Sequence, residues 1–486
     1  QEELHEAYAN IHGIKERCED YSLLKPLKIP QLPWKDIVLH TGAQCKAYVD
    51  LIPWLEKFLL SDYEGDRRMA GLIIRQLVED ERLRADNIYE AIDECLEMTW
   101  ISSEVNKTHW SAYYLNLQRI IEECWNAGTL IGCGRGSGVG FILLYLLGIT
   151  QINPQWETTK TFAWRFLNPA RVSVLDVDVD IEGGRRKAVL DHLRKVYGDD
   201  RVANVATFGT EKSKSAILTA CRGYQSEEYP EGIDVEQAQY MSSLVPQERG
   251  FLWDIKDVVY GNQEKDRKPV HTFIREVNKY PGLLDIIMYI AGLVNKRSSH
   301  ASGVILYGDD PFETAAFMRT PSGDLITCYD LHKAEAAGDT KYDFLVTEIS
   351  DKIIKCFELL VADNVIEDLG LRNLYNKYIH PEVMDTTDER IWDHLAAGDV
   401  LDVFQFSTGV GLGIAKKLKP RNPMEMTAAN AMMRLMSEKD KESQQDRYAR
   451  IQKAGLGVFD AEMRQAGLDD RMIELMHKHC DQYWGC

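Results

Sequence analysis

No two of the ten cysteines stand at the CxxC spacing of a zinc ribbon, and their scatter does not suit a disulfide framework. That usage points to a reducing compartment, and the cytoplasm is the expected location. No apolar run reaches the roughly 18 residues a membrane helix needs. FILLYLLGI at 141–149 comes nearest and is too short. Residue 1 is Gln, with no charged-then-apolar leader behind it, so no secretory signal is visible and a processed or truncated chain is expected. Internal repeats and low-complexity tracts are lacking too. Positive charge is in short supply: 57 Lys and Arg face 76 Asp and Glu, a net charge of −19. Phosphate contacts need local positive charge, so with this balance any nucleic-acid surface must gather its cations in one place.

The chain is long enough for several domains. Its 486 residues exceed the roughly 250–300 at which a single core stops growing, so two to four domains are expected. Residues 1–60 mix helical pieces with Pro-marked turns, and 62–128 carry apolar residues at helical spacing. A Gly-rich segment at 132–140 precedes an apolar helix that should begin near Phe141. Val, Leu and Ile alternate with Asp over 171–181, a strand signature. A helix over 185–197 and a strand over 202–208 follow. Residues 211–295 read as mostly helical; 304–308, 325–329 and 341–345 read as strands, and the chain beyond Asp351 as mainly helical. The whole is an α+β pattern.

Three features could carry chemistry. GCGRGSGVG sets Gly132, Gly134, Gly136, Gly138 and Gly140 at every second position, where backbone can approach a ligand closely. Arg135 adds a guanidinium fork suited to phosphate. The loop is neither a Walker A segment nor a GxGxxG fingerprint, and a plain tight turn is its alternative. Second, Asp176, Asp178 and Asp180 would share one face of a strand. Ionised neighbours repel, so such a face wants a metal or water. A calcium loop of the EF-hand kind is excluded by Ile181 and Lys187 at its sixth and twelfth places; an exposed acidic edge strand is the other reading. Third, between Arg185 and Arg222 nine cations outnumber four acids, and Lys416, Lys417, Lys419 and Arg421 form a second basic stretch. Solvated helix faces explain such runs equally simply. His477 and His479 have no Cys/His partners at zinc-finger spacing, and their stretch reads as a structural helix end.

The order of these segments resembles that of the family C DNA polymerases, the alpha subunit of bacterial DNA polymerase III. That family has a Gly-Arg-Gly-Ser loop, a helix, RFLNPER and a PDFDVDF-like strand. Here the run is GCGRGSGVG, FILLYLLGIT, Arg165-Phe166-Leu167-Asn168-Pro169-Ala170-Arg171 and LDVDVDI. VYGDD, Thr207-Phe208-Gly209-Thr210, His300-Ala301-Ser302-Gly303-Val304, Lys341-Tyr342-Asp343-Phe344-Leu345 and Val403-Phe404-Gln405-Phe406 are similar to further family segments. There are departures. Leu175 stands where the family has Pro, and Met433-Arg434-Leu435-Met436-Ser437 keeps the Arg of FRPGP but neither proline.

The resemblance implies a polymerase beta-like nucleotidyltransferase palm with an inserted helical thumb and incomplete, mostly helical fingers. Residues 1–99 would be a linker and helical segment after an absent phosphoesterase-like domain. The palm would take 100–210 and 296–346, the thumb 211–295 and the fingers 347–486. It implies template-directed addition of deoxynucleotides to a primer 3′ end. Asp176, Asp178 and Asp343 would be the catalytic, metal-binding carboxylates for two Mg²⁺ ions, with no organic cofactor. Asp180, for which the family allows Asn, would tune the site. Arg135, Gly136, Ser137, Lys341 and Arg434 would hold the triphosphate; Lys212, Lys214, Arg222, Lys416 and Lys417 would contact DNA. Primer-template DNA and deoxynucleoside triphosphates are the implied partners, with a sliding clamp and other replisome proteins reached through regions outside this chain, and no membrane. Two rivals stay open: an inactive paralogue that binds DNA, and a dinucleotide-dependent enzyme, which would need a βαβ unit around 130–160.

Overall fold

The computed structural model describes residues 2–18, 22, 24–34, 43–155, 161–170, 175–248, 251–313, 315–433 and 442–480. Their contacts divide the chain into two compact units. Residues 1–26, 203–305 and 310–339 form the first, and 27–202, 306–309 and 340–486 the second. In chain order the described strands are β1 (Asp178–Glu182), β2 (Val202–Thr210), β3 (Gln247–Glu248), β4 (Phe251–Leu252), β5 (Val294–Leu306), β6 (Phe317–Arg319), β7 (Leu325–Thr327) and β8 (Lys341–Thr347). Helices make up most of the rest, so the α+β expectation holds.

In the second unit, helix Trp110–Asn126 follows directly from its sequence. Trp110, Tyr113, Tyr114, Leu117, Ile121 and Cys124 recur at three- and four-residue spacing and are all buried. Beside it, β1 and β8 pair in parallel with Asp178 opposite Asp343 and Val179 opposite Phe344. Both strands alternate strictly at their starts. Val179, Ile181, Tyr342 and Phe344 are buried, while Asp178, Asp180, Lys341 and Asp343 stay half-buried. The Tyr113 and Tyr342 rings stack, centroids 5.8 Å apart, which ties the helix to β8. Farther along the chain a separate apolar cluster gathers Trp392, Leu395, Phe406, Ile414, Met432 and Tyr448.

The first unit lays β5, β2, β7 and β6 side by side, with β2 parallel to β7 and β6 antiparallel to it. Five helices between Ser213 and Ile290 close over their own core of Ile217, Met241, Phe273, Leu283 and Ile287. This is the stretch expected to be mostly helical. Its contacts nevertheless group it with the strands on either side of it.

One local expectation is corrected. The acidic strand is shorter than the alternation suggests: Leu175, Asp176 and Val177 are not strand, regular pairing starts at Asp178, and 171–174 lie outside the described residues. The carbonyls just ahead of it are already taken. Tyr113 donates its hydroxyl to the Leu175 carbonyl at 2.9 Å, and the Gly138 N–H donates to that of Asp176 at 2.9 Å. The apolar helix expected near Phe141 does form there, but it is short. A 3-10 turn spans Ser137–Gly140, and the helix after it, Ile142–Leu146, has only five residues. No βαβ unit forms around 130–160 among the described residues, which removes the structural basis of the dinucleotide reading.

Candidate active site

The glycine segment and the acidic strand are one construction. Ile131 and Arg135 form antiparallel bridges to Ile181 and Asp178, so the segment lines the edge of β1 away from β8. Gly132 N–H donates to the Asp180 carbonyl and Asp178 N–H to that of Arg135, each at 3.0 Å. Gly132, Gly136 and Gly138 are dictated by this approach, whereas Gly134 and Gly140 make room for Thr150 and Phe166. A Cβ on Gly132 would lie 2.7 Å from the Asp180 Cβ, and one on Gly136 only 2.3 Å from the Asp176 carbonyl oxygen. Gly136 also has φ +91°, a conformation side chains resist. The tight-turn reading and the functional one therefore describe the same loop.

Five charged side chains meet on the less buried side of the β1–β8 pair. Arg135 sets its Nε 3.5 Å from the Asp178 carboxylate and its Nη1 3.3 Å from that of Asp180. Lys341 places its Nζ 2.6 Å from the Asp343 carboxylate. The Phe404 ring lies under Arg135, 4.7 Å from the guanidinium carbon. Burial, then the Asp176 and Asp343 charges, push the Asp178 carboxyl above the usual carboxylate range, against the pull of Arg135. Burial raises Asp180 likewise, again opposed by Arg135. Asp176 stands outside the strand and is exposed.

The donor set suits divalent cations. Asp178 and Asp343 face each other across the strand pair, their like charges raise the cost of ionisation, and a cation between them would relieve it. No cluster of three or more Asp, Glu, His or Cys already stands in ligand geometry among the described residues. Arg135 and Lys341 supply the positive charge instead.

Of the expected site residues, Asp176, Asp178, Asp343, Arg135, Gly136 and Lys341 come together here. Ser137 follows as the first residue of the 3-10 turn, and Arg434 lies outside the described residues. Lys212, Lys214 and Arg222 sit at the start and end of helix Ser213–Gly223 in the first unit, Lys212 and Arg222 exposed and Lys214 half-buried. Lys416 and Lys417 are exposed in the last turn of helix Gly409–Leu418, where Lys417 is ion-paired with Asp446. His477 holds Asp460 at 2.7 Å, as a structural side chain does. Sequence reasoning missed the pinning hydroxyl of Tyr113, which looked like any apolar-face residue of its helix, and the contact of Phe404 with Arg135.

The raised Asp178 carboxyl has a measurable consequence. A native state that holds a proton more tightly than the unfolded chain is most favoured at low pH, and this contribution fades as pH rises through the raised value. Asp178→Asn mimics the protonated form. Without divalent cations its melting temperature should exceed the wild type's at pH 7, and the gap should close as pH falls through the carboxylate range. A gap that is constant with pH would contradict the electrostatic account.

Comparison with known proteins agrees with the geometry. Residues 75–346 match the family described as the bacterial DNA polymerase III alpha NTPase domain, and 363–456 its finger domain. Over its full length the chain is 37% identical to a probable DNA polymerase of Bacillus subtilis strain 168 and to a DNA-directed DNA polymerase of Bacillus phage SPbeta, and it covers 37% of each. It is 28% identical to the DNA polymerase III subunit alpha of Thermus aquaticus, over 68% of this chain and 25% of that protein. The chain thus spans little more than a third of the first two relatives. No described helix is long and apolar enough to cross a membrane.

Proposed function

The chain belongs to the bacterial DNA polymerase III alpha family, and we propose that its β1–β8 site performs template-directed DNA synthesis. The observation that carries this reading is the register of β1 on β8, which sets Asp178 opposite Asp343 beside a glycine loop bearing Arg135. Asp176, Asp178 and Asp343 would hold two Mg²⁺ ions. When bound, such ions lower the pKa of a primer 3′ hydroxyl and stabilise charge during in-line displacement at the α-phosphate. The chain's own part is positional. Tyr113 and Gly138 hold the carbonyls ahead of β1 and so set where Asp176 and Asp178 stand. Arg135, now spread over two carboxylates, is a planar donor fork for the triphosphate, with Gly136, Ser137, Lys341 and Arg434 as its further contacts. The 3′ oxygen bonds to the α-phosphorus and pyrophosphate leaves.

In this reading residues 100–210 and 296–346, which hold β1 and β8, are the palm, the helices of 211–295 are the thumb and 347–486 belong to the fingers. Lys212, Lys214 and Arg222 grip the duplex backbone without reading sequence, and Lys416 and Lys417 add to that surface. A sliding clamp and other replisome proteins would bind through other parts of a longer protein. Primer extension by the purified protein, with and without Mg²⁺, tests the reading: tight duplex binding with no metal-dependent extension would favour the inactive paralogue.

The two groups of cations are separable. Lys212→Ala combined with Lys214→Ala should weaken duplex binding and flatten its log–log salt dependence by about two units, roughly one per charge lost. The Michaelis constant for nucleotide should stay nearly unchanged. A salt slope equal to that of the wild type would remove these lysines from the DNA surface.

A further inference from the structure

Phe404 stands out among the exposed aromatics because the backbone around it is built to present it. Its neighbours Val400 and Phe406 are buried in the apolar cluster of that region, 6% and 2% exposed, while Phe404 itself is 56% exposed. On either side of it, Asp402 and Gln405 adopt φ of +64° and +66°, a conformation few residues other than glycine accept. Such strain persists where the surroundings over-determine it. Here the Phe406 and Ser407 N–H groups both donate to the Val403 carbonyl, at 3.0 and 3.1 Å. The Asp402 carboxylate is held 2.5 Å from Lys352 Nζ. What the strain achieves is a ring turned outward, 4.7 Å from the Arg135 guanidinium carbon, on the residue that also touches Asp178 and Asp180.

We propose that Phe404 is a positioning residue for Arg135: its ring is the platform on which the guanidinium is held flat over the acidic strand. The carboxylates fix the donor edge of the guanidinium, and the ring fixes its plane, which one long hydrogen bond of 3.3 Å and an ion pair at 3.5 Å leave poorly defined. A planar fork must be oriented before it can meet a phosphate with two donors at once. The segment 400–408 thereby sets the geometry of a side chain carried by the glycine loop. This inference rests on the reading of Arg135 as a triphosphate contact, and its test separates the two.

The test is a double-mutant cycle between positions 135 and 404, read in two ways. Phe404→Leu removes the π face and keeps apolar bulk; Phe404→Tyr keeps the face. On primer extension, Phe404→Leu should raise KM for nucleotide roughly two- to fivefold, the range of an exposed cation–π contact. It should leave kcat and duplex affinity nearly unchanged, Phe404→Tyr should behave as the wild type, and in an Arg135→Ala background Phe404→Leu should add nothing. Melting temperatures of the same four proteins, taken without nucleotide, should likewise be non-additive. Additive melting temperatures, or a Phe404→Leu effect on KM that persists without Arg135, would overturn the proposal. Non-additive melting with a wild-type KM in Arg135→Ala would instead uphold the contact and remove Arg135 from the triphosphate site.

Discussion

Asp178→Ala and Asp343→Ala should each lower primer extension by about a thousandfold or more, the scale expected if they are ligands of catalytic cations worth several kcal/mol. Affinity for primer-template duplex should change little, because both carboxylates lie on the second unit's strand pair, while the thumb lysines assigned to the duplex backbone follow β2 in the first. Asp180→Asn should lose far less than Asp178→Asn. Asp180 is raised by burial and contacts Arg135, whereas Asp178 also feels the charges of Asp176 and Asp343. Initial extension rates over a Mg²⁺ titration decide the matter. Near wild-type rates in either alanine variant would exclude these carboxylates as the metal-binding pair, and equal losses for the two asparagine variants would promote Asp180 to their rank.

Gly136→Ala should be the most damaging substitution outside the carboxylates. Two costs combine. A non-glycine residue in extended backbone of positive φ costs about 1–3 kcal/mol, and Gly136 sits there at φ +91° and ψ 174°. The new Cβ would then fall 2.3 Å from the Asp176 carbonyl oxygen, the atom that accepts the Gly138 N–H. Backbone cannot yield there without moving Asp176 relative to Asp343. Misplacing reacting groups by around an ångström costs on the order of a hundredfold in rate, so extension should fall by about that factor along with a lower melting temperature. Gly148→Ala is the control. Gly148 has φ +69° but nothing within 4 Å of an added Cβ, so it carries strain without the clash. It should lose stability and keep nearly all activity. Equal activity in the two variants would show that contact with the acidic strand is not what glycine serves at 136.

Much of the site was legible before any coordinates. Alternation of Val and Asp marked the acidic strand, because a strand with one buried face must repeat every two residues. The spacing of Gly132, Gly136 and Gly140 marked a place of close approach, though not what approached. KYDFL marked β8 by the same alternation as β1. What could not be read was the start of the strand. Whether residues 175–177 pair as sheet depends on the Tyr113 hydroxyl and the Gly138 N–H, which reach them from distant parts of the chain. The apolar run after the glycines promised a helix, yet Ile142–Leu146 is brief; a continuous apolar run signals burial more than it signals length.

Local sequence alone determined the alternating faces of β1 and β8, the buried stripe of Trp110–Asn126 and the need for glycine beside the acids, since each depends on side-chain period or backbone sterics within a few residues. Tertiary structure alone decided that the glycine segment lies along the edge of β1, that Asp178 faces Asp343, that Arg135 reaches Asp178 and Asp180, and that Phe404 backs Arg135. Each of those contacts joins residues more than 40 positions apart or fixes a register between strands. No local period encodes such a choice; it is settled only when the two faces pack and their charges must be satisfied together.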